Sequence, residues 1–363
     1  MPPTTPPPGL DDIVAAATEL TRAAALGRPA GPVGPLLSEA RHHGPAALDT
    51  GLALLRSPDP VERTVGCDLL GELCAPDDHG WGPQVAAALV VLAGAEEDAG
   101  VLASMARAFG RTGSPSGAPV LIWLSAHPQA RVRLQAAAAL YFCGLDAGVP
   151  RGPSGPDPEL VHRILVGLMG DPDPEVRNWA TFELGTQTTM DGRDIRDALF
   201  RNTSDRDPDT RDEAILGLSR RRDPRAVDVL VRRLREPGVG TMAVEAACYV
   251  GDPRLLPALQ PLADSWDVDS RAVANAIAAC DPFRRRRHAR AQEDLFAGLA
   301  AALAPRGATA AIYCDRFELG VGLRIESPDA EPAIHDVDAL LRAAGGDVGQ
   351  AVSTVLAGLD TRS

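Results

Sequence analysis

The sequence predicts an all-α fold, a right-handed α-α superhelix of stacked helical hairpins with a small C-terminal α+β cap, and three observations predict it. A segment returns along the chain: Asp171 to Gly185 reads DPDPEVRNWATFELG and Asp205 to Ser219 reads DRDPDTRDEAILGLS, with looser copies on either side. Self-similarity at a fixed period is the mark of a stacked-repeat architecture. The composition, 45% hydrophobic but only 4% aromatic over 363 residues, supplies a large core of Ala, Leu and Val suited to closely packed helices. The copies also share apolar columns at helical spacing.

With the arginine of the repeat as position zero, copies start at Arg63, Leu102, Arg133, Arg177, Arg211 and Ala243, spaced 39, 31, 44, 34 and 32 residues apart, and a blurred seventh lies near Arg271. Each good copy opens on an Asp-Pro or Asp-rich turn, where Asp caps the next helix and Pro fits its first turn. Column −1 (Glu62, Val101, Val132, Val176, Thr210, Met242), column +3 (Gly66, Met105, Ala136, Ala180, Ala214, Ala246) and column +7 (Leu70, Phe109, Leu140, Leu184, Leu218, Val250) fall on one stripe at 100° per residue. Small +3 residues let backbones approach, and the glycine common at +8 is expected to end the helix. A partner helix follows a short Asp-Pro connector, as in Arg220 to Leu234 and Gly251 to Leu262.

Outside the repeats, residues 1–9 are Pro-rich, lack the charged and apolar regions of a signal peptide and read as disordered. The repeats then occupy 10–282. Residues 283–363 differ: a long amphipathic helix from Asp281 to Ala304 opens on Arg284, Arg285, Arg286, Arg287 and Arg290, then Ala310 to Cys314 and Phe317 to Glu326 form a hairpin, and helices follow near Val337 to Ala344 and Val348 to Leu359. This unit caps the stack, and the hairpin's exposed edge offers a route to oligomers. The Gly/Pro-rich connection from Asp146 to Glu159 reads as a surface loop.

The order Asp-x-Asp-x-x-Val-Arg-x-x-Ala-x-x-x-Leu-Gly, followed by Asp-Pro-x-x-Val-x-x-Leu, resembles HEAT repeats, specifically the short bacterial HEAT-like kind first named from phycobilin lyase subunits. The resemblance covers Pro58 to Asp281 and is strongest from Asp171 to Leu262. It implies an Asp/Arg ladder between successive repeats, carried here by Asp173 with Arg177 and Asp207 with Arg211 or their neighbours, and broken where Leu102 and Ala243 replace the arginine. It also implies that the second helix of each pair lines a concave binding face. Columns +1 and +5 lie opposite the buried stripe. In mid-chain, Leu134, Tyr141 (at +8), Phe182 and Leu216 form an expected apolar patch rimmed by Asn178 and Asp212. The segment Asn178 to Thr188 departs furthest from the Ala-rich background, through Trp179 and Phe182 and through a polar run after Gly185 that reads as a loop.

Several chemistries are excluded or unsupported. There is no lysine, so Schiff-base, Walker-type and Ser-Lys chemistries are absent. A net charge of −13 makes nucleic acid an unfavoured partner except at a local basic patch. The seven histidines show no metal spacing, no cofactor motif occurs, and the six cysteines are scattered without a Cys-x-x-Cys pair, so they read as small reduced hydrophobes. No apolar run is long enough for a membrane span, and a cytoplasmic location is expected. The functional expectation is a scaffold, adaptor or accessory subunit that holds a protein or peptide, without catalysis. The alternative from the same resemblance is a HEAT-like enzyme, either an alkylpurine DNA glycosylase or a tetrapyrrole lyase subunit.

Overall fold

Asp-Pro turns start the helices where the spacing predicts them. The computed structural model describes residues 8–74, 80–144, 157–265, 270–313, 319–328 and 330–360. The Pro-rich start, most of the Asp146 to Glu159 connection, Cys314 and the turn of the expected hairpin lie outside the described residues, as do the side chains of Tyr141 and Cys143. The chain forms two units, Met1–Met190 and Asp191–Ser363.

In the first unit, α1 (Leu10–Ala25), α2 (Val33–Glu39) and α3 (Pro45–Leu54) precede α4 (Pro60–Leu73), α5 (Gly82–Ala93), α6 (Ala99–Arg111), α7 (Ala118–Leu124), α8 (Ala130–Gly144), α9 (Pro158–Leu168) and α10 (Pro174–Phe182). Asp59, Asp98, Asp157 and Asp173 cap α4, α6, α9 and α10 by accepting amide hydrogen bonds from their first turns. The helices bearing position zero, α4, α6, α8 and α10, pack in succession, and α3, α5, α7 and α9 back them one by one. This gives two layers of helices. The +3 column is buried in every copy, and at Gly66 a Cβ would stand 2.8 Å from the Leu54 Cβ, so α3 and α4 meet there only because that side chain is absent. The +8 glycine ends its helix in one repeat and not in another: Gly251 is the left-handed C-cap of the helix spanning Thr241–Val250, whereas Gly71 lies inside α4, and a Cβ on it would sit 3.2 Å from the Ala108 backbone on α6. At Gly71 the position serves close approach of successive second helices; at Gly251 it serves termination.

The second unit repeats the pattern with α11 (Arg193–Asn202), α12 (Pro208–Arg220), α13 (Arg225–Arg233), α14 (Thr241–Val250), α15 (Leu256–Ser265) and α16 (Ser270–Cys280). Here α12, α14 and α16 pack in succession, each against the helix before it in sequence. The blurred copy at Arg271 is thus a true hairpin, α15 with α16. There follow α17 (Pro282–Leu303), β1 (Thr309–Tyr313), β2 (Gly322–Ser327), β3 (Ala330–Asp336), α18 (Val337–Ala343) and α19 (Val348–Asp360). The expected hairpin is one strand short: β3 joins β2 antiparallel, making a three-stranded sheet in the order β1-β2-β3. Leu323, Ile325 and Ala333 on one face share a separate core with Leu295, Leu299 and Leu303 of α17 and with Val337, Leu341, Ala351 and Val355.

The polar residues of the turns divide their labour more finely than the resemblance implies. Arg63, Arg133, Arg177 and Arg211 each fold back so that Nη1 donates to the carbonyls five and six residues before it, 2.9–3.2 Å away. Arg63 also grips Glu96 of the next repeat at 2.7 and 3.0 Å, and Arg133 grips Asp171 at 2.8 and 2.7 Å. The acceptor between repeats is therefore the residue at −6, and Asp173 and Asp207, at −4, cap their own helices instead. The −6 side chain also accepts the −4 amide in five repeats, through Ser57, Glu96, His127, Asp171 and Asp205. Where Leu102 replaces the donor, the following −6 residue is His127, so donor and acceptor are lost together.

Candidate functional site

The end of α10 breaks the repeat. Val176 and Ala180 bury as the stripe requires, but after Phe182 the backbone loosens into a π-turn over Glu183–Gln187, closed by the Thr188 amide donating to the Glu183 carbonyl at 3.1 Å. Three threonine back-bonds cluster around it. Thr181 donates to the Arg177 carbonyl at 2.7 Å, Thr186 to Phe182 at 2.9 Å and Thr188 to Leu184 at 3.3 Å, each a four-residue back-bond that competes with and bends a helix. The polar run after Gly185, expected to be a loop, is instead helical through Gln187, and Thr188 is buried. Single π-turns inside helices gather at functional sites because they re-aim side chains.

This turn starts at Glu183. Column +6 is Leu69, Ala108, Ala139, Glu183, Gly217 and Tyr249, and the first three are buried apolar residues. Glu183 occupies the same core position at 2% exposure, and no hydrogen-bond partner reaches its Oε2. Burial alone raises its carboxyl to about 8, so it is largely protonated at neutral pH. The other buried acids of the described residues, Glu72, Glu96, Asp171 and Asp223, all have an arginine partner. One turn back, Asn178 is half-buried and its Oδ1 is likewise without a partner. A buried polar atom left unsatisfied costs about 1–3 kcal/mol.

Beside these groups stand the two aromatics. Trp179 remains 39% exposed and meets Phe182 edge-to-face, ring centroids 5.3 Å apart and planes at 70°. Leu134 on α8 is half-buried in the same unit. Two members of the expected patch belong to the second unit and are not available there. Leu216 is 6% exposed and sits in that unit's core cluster with Val244 and Ala247, and Asp212 is held by both nitrogens of the Arg233 fork at 2.8 and 2.9 Å. A helix inside a stack is flanked on two sides as well as backed, so its free sector is narrower than the half-turn opposite the stripe. Glu183 escaped the sequence reading, although a lone acid in an otherwise apolar column was its signal.

Chemically the site offers an apolar edge and unsatisfied polar atoms. Trp179 and Phe182 present a rigid apolar edge, and Asn178 and Glu183 hold polar atoms that the fold leaves unbonded. Three of the described cysteines, Cys67, Cys248 and Cys280, are poor nucleophiles, since burial raises their thiols, the last two to about 11 and 12.

Stacked antiparallel helical hairpins, tied by turn arginines, define an α-solenoid. Part of the chain matches known HEAT repeats: a family model described as HEAT repeats matches residues 162–241, and the protein YibA of Escherichia coli K12 is 38% identical over 114 residues, 31% of this chain and 40% of that protein. The YibA of Escherichia coli O157:H7 matches to the same extent, so the match spans well under half the length of these relatives. The X-ray structure of Escherichia coli YibA aligns with 76% of this chain and 98% of its own at a TM-score of 0.57 and 22% identity, which is a likeness of fold.

Proposed function

We propose that the protein is a scaffold, adaptor or accessory subunit that holds a protein or peptide segment against the end of α10, on the face formed by the second helices, and that it is not an enzyme. The observation that carries this is the juxtaposition of the half-exposed Trp179–Phe182 pair with Glu183, an acid set into an apolar column with Oε2 unbonded. Aromatic anchors beside desolvated polar groups are the composition of binding hot spots. A partner that inserts an apolar side chain against the pair and brings a hydrogen-bond donor gains from both features. A glycosylase-like role needs a basic second-helix face, and the column +1 and +5 positions of the described helices hold a single arginine, Arg107, itself 2.7 Å from Asp68.

The test is affinity capture from the native host with wild-type protein and Trp179→Asp, with circular dichroism to confirm that the variant keeps its helices. A protein that binds the wild type and is lost with Trp179→Asp supports the reading. Retention of the same partner by the variant moves the site elsewhere, and co-purification of nucleic acid in place of protein favours the glycosylase-like alternative.

A further inference from the structure

The first turns of α17 make no core. Residues 283 to 290 are exposed throughout, whereas Leu295, Leu299 and Leu303 seat the rest of the helix in the C-terminal core. Into this stretch the chain places Arg284, Arg285, Arg286, Arg287 and Arg290. Three of these have work within the fold: Arg285 donates to the Gly251 carbonyl at 2.8 Å, Arg284 lies 3.7 Å from Asp281, and Arg286 donates through Nε to the Pro282 carbonyl at 3.1 Å, leaving its two terminal nitrogens for a ligand. Arg286 lies over the ring of Phe283, 5.2 Å from its centroid, and Phe283 is itself 78% exposed. Among the described residues, no carboxylate pairs with Arg287 or Arg290, which stand three apart on one side of the helix.

This arrangement is unfavourable for folding. Cations at a helix N-terminus oppose the helix dipole, and like charges three and four residues apart repel. An exposed phenylalanine beside them gains nothing in water. An anionic, partly apolar ligand removes all three penalties at once. The arginine stretch is also short and fenced. Asp281 precedes it, Glu293 and Asp294 follow on the same helix, and Asp338 of α18 stands 2.8 Å from His288 beside it. From Arg284 to Arg290 the helix rises only about 9 Å, and the whole chain carries −13. A long polyanion must run from this patch onto an acidic surface, while a few carboxylates fit within it.

We propose that the exposed start of α17 docks a short acidic peptide segment of a partner protein, with carboxylates on Arg286, Arg287 and Arg290 and an apolar side chain against Phe283. The probe is a fluorescein-labelled peptide, Glu-Glu-Phe-Glu-Glu, titrated by anisotropy with the full chain at low salt, with its all-Gln counterpart and a labelled single-stranded oligothymidylate alongside. Saturable binding of the acidic peptide is expected, weakened about tenfold by Arg287→Glu with Arg290→Glu and about threefold by Phe283→Ser, and falling with salt. Both variants lie on exposed helix surface, and an unchanged circular dichroism spectrum confirms their fold. The proposal is overturned if the charge-reversed chain binds the acidic peptide as tightly as the wild type, if the all-Gln peptide binds equally well, or if the oligothymidylate binds more tightly than the peptide.

Discussion

Asp171 and Glu183 belong to the same repeat, and both carboxylates are buried, yet their surroundings are opposite. Asp171 receives two nitrogens of the Arg133 guanidinium and the Asp173 amide. Burial works to raise its pKa, but those hydrogen bonds outweigh it and hold the group below the ordinary carboxylate range. Glu183 meets burial alone and rises to about 8. The solenoid thus has a standard way to keep an acid inside, a guanidinium from the neighbouring repeat, and it withholds that device at one position. A buried charge that serves architecture is paired; an acid buried without a partner marks a place where the fold leaves stability unrealised.

The contrast breaks most visibly at the ladder. Arg133→Ala leaves Asp171 buried without its cation and is expected to destabilise the first unit by about 3 kcal/mol, read as a lowered urea midpoint. Arg107→Ala, at a pair whose arginine is 42% exposed, is expected to cost under about 1 kcal/mol. Equal losses at the two sites would erase the distinction between ladder and surface pair.

Glu183 sharpens the comparison through pH. Its folded pKa lies above the unfolded value of 4.5, so the native state binds the extra proton, and stability falls as pH rises from about 4.5 to about 8. Glu183→Gln removes that slope. Its advantage over the wild type is expected to be absent near pH 4 and to reach about 2–4 kcal/mol above pH 8, in thermal melts across that range. Asp171 has the opposite sign: its contribution is present above its unfolded pKa and is lost as pH falls through the lowered folded value. The smallest effect is expected at Trp179, where Trp179→Ser changes unfolding free energy by about 1 kcal/mol or less while abolishing partner capture.

Much of this was legible in the residues. The copies from Arg63 to Arg271 each became a second helix, because small, regularly spaced +3 residues and Asp-Pro turns specify a hairpin locally. The ladder was misplaced by two residues, since Asp171 and Asp173 look alike in sequence, and only the path of the arginine tells which one caps and which one bridges. β3 was missed because Glu331, Pro332 and His335 interrupt its apolar alternation, and an edge strand tolerates what a central strand does not. Leu216 was placed on an open face that neighbouring helices close. The segment from Asn178 to Thr188 was singled out for its aromatics, but its π-turn was unreadable, because threonine back-bonds like those around it also occur in unbroken helices such as α1 and α4.

The most direct test of the central claim is an NMR titration of the Glu183 carboxyl in selectively ¹³C-Glu-labelled protein, assigned through Glu183→Gln. A midpoint near 8 is predicted, shifting downward when the captured partner supplies a cation or donor. A midpoint in the ordinary range near 4.5 would contradict the account, because the acid would then already be stabilised within the fold and would leave no unmet group for a partner at the end of α10.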